Sequence, residues 1–214
     1  RGSGTIAGLV AQPRQPLEID RERCARAKEV YNRIIVRQTR PTMNVDIVLA
    51  IDPGTTESGW IVLRPDGSVE DCGTDNNNRI AKMFADWQGV FAIEWFESMG
   101  MNVGREVFET VCWIGRFQQI IGSGEVRRIT RREVKLHLCG TMRAKDPNIR
   151  QALLDLYSDW PTLGGGKNPA IGISAKPGPL YGVSGHMWSA LAVAVTYRAQ
   201  LESSDGRNDT TRKD

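Results

Sequence analysis

The chain is poor in the features that mark several protein classes. Its four cysteines, Cys24, Cys72, Cys112 and Cys139, are scattered, with no CxxC pair. That spacing excludes a zinc ribbon and a disulfide framework, and a reducing cytoplasm is the expected setting. No apolar run approaches the ~20 residues of a membrane span, so no membrane association is expected. No signal-peptide pattern opens the chain, and "RGSG" at the start reads as an expression-tag remnant. No internal repeat is visible. The net charge over 214 residues is only +3, too little by itself to indicate nucleic acid.

What is there is distributed unevenly. Between Arg127 and Lys145 stand seven basic residues, Arg127, Arg128, Arg131, Arg132, Lys135, Arg143 and Lys145, against the single acid Glu133. The rest of the chain is net negative. Such clustering is the footprint expected for phosphate contacts, and equally that of a solvated helix face. Residues 161–185 hold seven Gly and four Pro, a composition that predicts a long mobile loop. Long loops inside compact domains are often functional.

Periodicity predicts an extension over residues 1–44 with a helix from about Asp20 to Gln38. A domain over 45–201 and a polar tail over 202–214 follow. Three short strands are expected at Asp46–Ile51, Gly59–Leu63 and Ser68–Gly73, with Pro65–Gly67 as a hairpin turn. A helix over about Asn78–Trp87 leads to a fourth strand, "VFAIE" (Val90–Glu94). A helix over about Gly104–Ile120 carries Phe108, Val111, Cys112 and Gly115 on one face. "EVRRI" is a fifth strand. The next helix starts with the capping box Thr130-x-x-Glu133. Another starts at "DPN", with Asp146 as its N-cap and Pro147 at the first helical position. The last runs from Gly185 to Leu201. The order gives an α/β fold: an antiparallel three-strand meander plus parallel strands in one mixed sheet flanked by helices, behind an N-terminal helical extension.

Two acids end strands. Asp52 closes "VLAID" before a Pro-Gly turn, and Glu94 closes "VFAIE". If those strands are parallel neighbours, both carboxylates emerge at one edge. There they repel unless a cation lies between them. Oxygen ligands suit Mg²⁺ or Mn²⁺. Asp52 alone is as readily a turn residue; Glu94 after a buried strand carries a desolvation cost that a structural role does not explain. His186 near a helix start reads, on its own, as a cap or surface group before it reads as a ligand. Glu57 and Glu97 are weaker acid candidates, expected to be exposed. Trp95, Phe96 and Trp188 flank the proposed site, where core packing competes with stacking on bases.

Four ordered segments resemble one family. "VLAIDPGTTESGW" is similar to the first motif of RuvC-type Holliday-junction resolvases of the ribonuclease-H-like superfamily. "FAIEWF" resembles the second motif, "ITRREVKLHLCG" the segment before the DNA-facing region, and "SGHMWSALAVAVTY" the last. The likeness covers about Asp46 to Leu201 and is nearest to compact phage-encoded members. It implies a metal-dependent endonuclease, magnesium- or manganese-loaded, that cuts Holliday junctions and other branched DNA. Its setting would be a bacterial or phage-infected host cytoplasm. Asp52, Glu94 and His186 would be catalytic and metal-binding, holding two ions roughly 3.5–4 Å apart. The basic residues above, with Lys167 and Lys176 of the loop, would track the DNA backbone. Symmetric cuts in two strands imply a homodimer.

The chain departs from the family at Ser189, where an Asp is common. Residues three apart share a helix face, so this position would join His186 at the metals. Three ligands, a substitute acid or water, or reduced activity each fit. Two other functions remain open. One is a junction-binding protein of the same fold that does not cut. The other is an ATPase of the actin-like or sugar-kinase type, whose first phosphate motif "AIDPGTTESG" also resembles, although that architecture needs two such domains.

Overall fold

The computed structural model describes residues 47–97, 100, 102–121 and 126–208, with side chains described to residue 201. The helix expected over Asp20–Gln38 lies outside the described residues, as do residues 209–214. The described strands β1 (Val48–Asp52), β2 (Glu57–Leu63), β3 (Val69–Asn76), β4 (Val90–Trp95) and β5 (Val126–Thr130) form one sheet in the order β3-β2-β1-β4-β5. β1–β2 and β2–β3 are antiparallel, and β1–β4 and β4–β5 are parallel. The mixed sheet is therefore as the sequence predicts: short turns close the meander, while helices make the parallel crossovers.

Both faces of the sheet are covered, so its central strands read as unbroken apolar runs. On one face Val48, Ala50 and Ala92 pack against the last helix, α5 (Met187–Asn208), through Ala190, Leu191 and Ala194. Small residues on both sides let the helix lie close. The crossover helices are α1 (Asn77–Met83) and α2 (Arg105–Ile121). Trp60 of β2 meets Phe84, just after α1, edge to face with ring centroids 5.2 Å apart.

Helix α3 (Arg131–Cys139) begins with the expected capping box. The Thr130 N–H donates to Glu133 Oε2 at 2.7 Å, and the Glu133 N–H donates to Thr130 Oγ1 at 3.2 Å. Helix α4 (Asp146–Leu156) differs from expectation. Its N-cap is Lys145, whose N–H donates to Asn148 Oδ1 at 2.9 Å. Asp146 lies inside the first turn because its carboxylate is engaged by Arg131 instead of by backbone N–H groups.

Two further expectations are corrected. The Gly/Pro-rich stretch is not an open loop. β6 (Gly172–Ile173) and β7 (Lys176–Pro177) pair in it, and backbone bonds from Gly164 to Pro169, Gly165 to Lys176 and Leu180 to Ala170 close it. Ala170, Leu180 and Val183 anchor it in the core. Helix α5 also runs past Leu201 to Asn208, through residues whose polar composition reads as a tail.

Candidate active site at the ends of two parallel strands

The parallel register of β1 and β4 sets Ala50 beside Ala92 and Ile51 beside Ile93. Asp52 and Glu94 are the next residue in each strand. Side chains alternate along a strand, so both acids share the face of Ala50 and Ala92, the face covered by α5. Their side chains are only 15% and 14% exposed.

The turn after Asp52 is held by a buried polar network. The Gly54 N–H donates to Ser58 Oγ at 3.1 Å, and the Ser58 hydroxyl donates to Asn77 Oδ1 at 2.6 Å. Asn77 Nδ2 returns a bond to the Gly54 carbonyl at 3.0 Å, and the Asn77 N–H donates to Thr56 O at 3.0 Å. Ser58 and Asn77 are fully buried. A broken link would leave a buried polar group unpaired, at about 1–3 kcal/mol. The turn is thereby fixed to the start of α1, and Asp52 with it.

His186 reaches Asp52 from just before the sheet's covering helix. Its Nδ1 lies 3.1 Å from Asp52 Oδ2, and the imidazole is otherwise open to solvent. Gly59, the register partner of Asp52, makes the approach feasible. A Cβ at Gly59 would stand 2.6 Å from the His186 carbonyl oxygen and 2.7 Å from its Cβ. Ser189, one turn on, comes close enough to Asp52 for its hydroxyl to oppose the rise in the carboxyl's pKa.

Glu94 is served from the other side. Arg131 Nη1 lies 3.6 Å from Glu94 Oε1, while Nη2 of the same guanidinium pairs with Asp146. Burial raises the Asp52 carboxyl to about 6, against a hydrogen bond with Glu94 and the positive field of Arg131, which lower it. Burial and then the Asp52 charge raise Glu94 to about 8, again with Arg131 opposing. Asp146 pushes both acids up. It was readable in the sequence only as a helix cap, because its neighbours here come from elements distant in sequence.

Two hollows flank the pair. A cleft of about 580 Å³ is lined by Glu94, Trp95, Phe96, Arg131, Arg132 and Lys135, among others. A groove of about 620 Å³ on the His186 side is lined by Asp146, Arg150, Trp188 and Ser189. Arg150, which lies outside the basic cluster, stacks over Trp188 at 4.8 Å. Arg131, Arg132 and Lys135 are thus brought together beside Glu94. Arg128 is stacked over Trp95 at 4.4 Å. Arg143 and Lys145 are exposed, as are Lys167 and Lys176 on the closed loop. Arg127 lies over Tyr197 at 5.8 Å, about 10 Å along β5 from its site end. Of the flanking aromatics, Trp188 is buried and Phe96 is 45% exposed. Glu57 and Glu97 are exposed.

The donor set fits a hard divalent cation. Two buried carboxyls that repel each other and titrate high are relieved by positive charge between them. Among the described residues, no group of three or more His, Cys, Asp or Glu stands ready as a ligand cluster, so the fit rests on the carboxyl pair.

No family model and no curated protein sequence matches this chain. Solved structures do. The RuvC structure from Thermus thermophilus aligns over 73% of this chain and 96% of its own, with TM-score 0.50 and 16% identity. Thermus thermophilus RuvC in complex with a Holliday junction substrate aligns over the same shares, with TM-score 0.50 and 14% identity.

The fold is ribonuclease-H-like.

At these identities the likeness establishes the ribonuclease-H-like fold and not the activity. The yeast mitochondrial Holliday junction resolvase Ydc2 also aligns, over 82% of this chain and 87% of its own, with TM-score 0.42 and 10% identity. Among the described residues, no helix is long and apolar enough to cross a membrane.

Proposed function

We propose that the chain is a metal-dependent, structure-selective endonuclease that cuts branched DNA such as Holliday junctions, acting as a homodimer. The observation that carries this reading is the buried Asp52–Glu94 pair at the ends of two adjacent parallel strands, beside a cleft edged by Arg131, Arg132 and Lys135. The Thermus structure bound to a Holliday junction supplies the substrate class.

Asp52, Glu94 and His186 would hold Mg²⁺ or Mn²⁺. Bound there, such ions supply a nucleophilic water at neutral pH and charge for the leaving oxygen. The chain's own part is positional. β1 and β4 fix the carboxyls, His186 orients Asp52, and Arg132 and Lys135 take backbone phosphates. Arg131 neutralises Glu94 and Asp146, and so keeps the pair tolerable before metal arrives.

A second reading is a junction-binding protein that does not cut. Ser189 favours it, since a hydroxyl stands where the resemblance expects a carboxylate. The test is incubation of the purified chain with a labelled four-way junction in Mg²⁺, Mn²⁺ or chelator. Paired cuts with either ion and none with chelator support the nuclease. A shifted but intact junction in all three supports the binding protein. Neither binding nor cutting would sink both.

A further inference from the structure

The cation site has two carboxylates, an imidazole and, at Ser189, a hydroxyl without charge. A third carboxylate stands beside it. Asp146 comes from helix α4, outside the four sequence segments that carry the resemblance. It does not cap that helix, whose N-cap is Lys145. Among the described residues its partner is Arg131, and the other arm of the same guanidinium lies 3.6 Å from Glu94 Oε1. Asp146 and Glu94 are thus held by one cation. Asp146 also lines the groove that His186 and Ser189 line, the two residues that approach Asp52. It therefore adjoins both acids, each of which feels its charge.

Asp146 differs from the buried pair in its surroundings. Its side chain is 81% exposed, against 15% for Asp52 and 14% for Glu94. An exposed ion pair contributes little to stability, so the Arg131 contact alone gives the acid no strong structural role. Exposure lets it stay ionised without a desolvation cost and exchange one cation for another. Magnesium suits such a neighbour, because it keeps several waters and takes only one or two carboxylates directly. A further acid then acts on the ion across its hydration shell. Among the described residues no ready cluster of three ligands stands in place, which agrees with a charge that acts without direct contact.

We propose that Asp146 is the third carboxylate of the cation site, supplying from α4 the negative charge that Ser189 does not bring from α5. It is a positioning residue for the ion. The inference rests on the metal-dependent reading of the Asp52–Glu94 pair.

The test is calorimetric titration of Mn²⁺ into the metal-free full chain, without DNA. Asp146→Asn should weaken Mn²⁺ binding about tenfold, the low end of the loss for a group that acts on a metal without touching it. That variant also frees Arg131, which then competes with the ion at Glu94. Arg131→Gln removes the competitor, and in that background Asp146→Asn should still cost about tenfold. Ser189→Asp added to Asp146→Asn should restore wild-type affinity, because it returns a carboxylate to the site. Saturating the wild type with Mg²⁺ should raise its melting temperature more than the same concentration does for Asp146→Asn. Wild-type affinity in Asp146→Asn, or a loss that vanishes in the Arg131→Gln background, would overturn the proposal and leave the nuclease reading standing. A wild type that takes up no Mn²⁺ would overturn both.

Discussion

The two carboxyls of the candidate site are alike in burial and differ in what surrounds them. Asp52 is held by a rigid half: a turn pinned through Ser58 and Asn77, and a helix start pressed onto Gly59. Its partners, His186 and Ser189, bring little fixed charge. Glu94 is held by an electrostatic half, in which Arg131 spans Glu94 and Asp146 near an open cleft. Geometry determines the first half and charge the second. Perturbing each half should therefore give a different kind of failure.

The largest effect comes from removing the carboxyl at the centre of either half. Asp52→Asn and Glu94→Gln keep side-chain size and remove a charge. Cleavage should fall by more than about a hundredfold in each, because loss of a mere outer-shell partner already costs 10–100-fold. Junction affinity should survive. A gel assay showing near-normal cutting by either variant removes that residue from the site.

Next comes the geometric half alone. Gly59→Ala forces a methyl group into the His186 backbone, and overpacking of this kind costs about 1–3 kcal/mol. Thermal unfolding should register it, with reduced cleavage at temperatures where the protein is still folded. An unchanged melt would mean that α5 sits farther from β2 than the structure has it.

The electrostatic half should appear in the dependence of stability on pH. Both acids titrate above their ordinary values, near 6 and 8. The folded state then binds protons that the unfolded chain has released. Without metal, the pair's contribution is fully present below the unfolded values of about 4. It is lost as pH rises through about 6 and about 8. Melting of the metal-free protein should drop over that window, Glu94→Gln should flatten the drop, and Mg²⁺ should reverse it in the wild type only. A flat wild-type profile would contradict the raised values.

The smallest effects separate the basic residues. Ser189→Asp adds a carboxylate facing Asp52 and should raise Mn²⁺ affinity in a calorimetric titration, by about tenfold at most; no change would place residue 189 outside the site. Neutralising Arg132 or Lys135 should flatten the log–log salt dependence of DNA binding by about 0.9 for each phosphate that is no longer neutralised. Arg131→Gln should leave that slope nearly unchanged, since its charge is already committed to two acids. Equal slopes for all three variants would erase the distinction between the halves.

Much of this was legible in the sequence. Apolar runs ended by single acids located β1 and β4, and the Thr130–Glu133 spacing located α3. Their place at the strand ends put both acids at one edge on the condition that the strands pair in parallel, which the register meets. What was hidden depends on interactions between distant residues. Ser58 and Asn77 look like ordinary turn residues until the turn meets α1. The reason for Gly59 lies far along the chain at His186. Asp146 read as a cap because Arg131 is invisible to a local rule. Helix α2 was ambiguous for another reason: with apolar residues on two sides, periodicity shows that it is a helix without saying which side faces the sheet.

The closed Gly/Pro stretch carries a separate consequence. At Gly164 and Gly178 a side chain would run into backbone atoms of the same loop, Gly172 in one case and Pro169 in the other. Glycine here serves crowding, not freedom. Limited digestion with a broad-specificity protease should therefore spare residues 164–180, although their composition advertises a linker. A codon-randomised library should accept Asn and Asp at Gly182, where a side chain meets positive φ but open space, and reject nearly everything at 164 and 178. The stretch behaves as a folded clasp, and a peptide tag inserted there would open it.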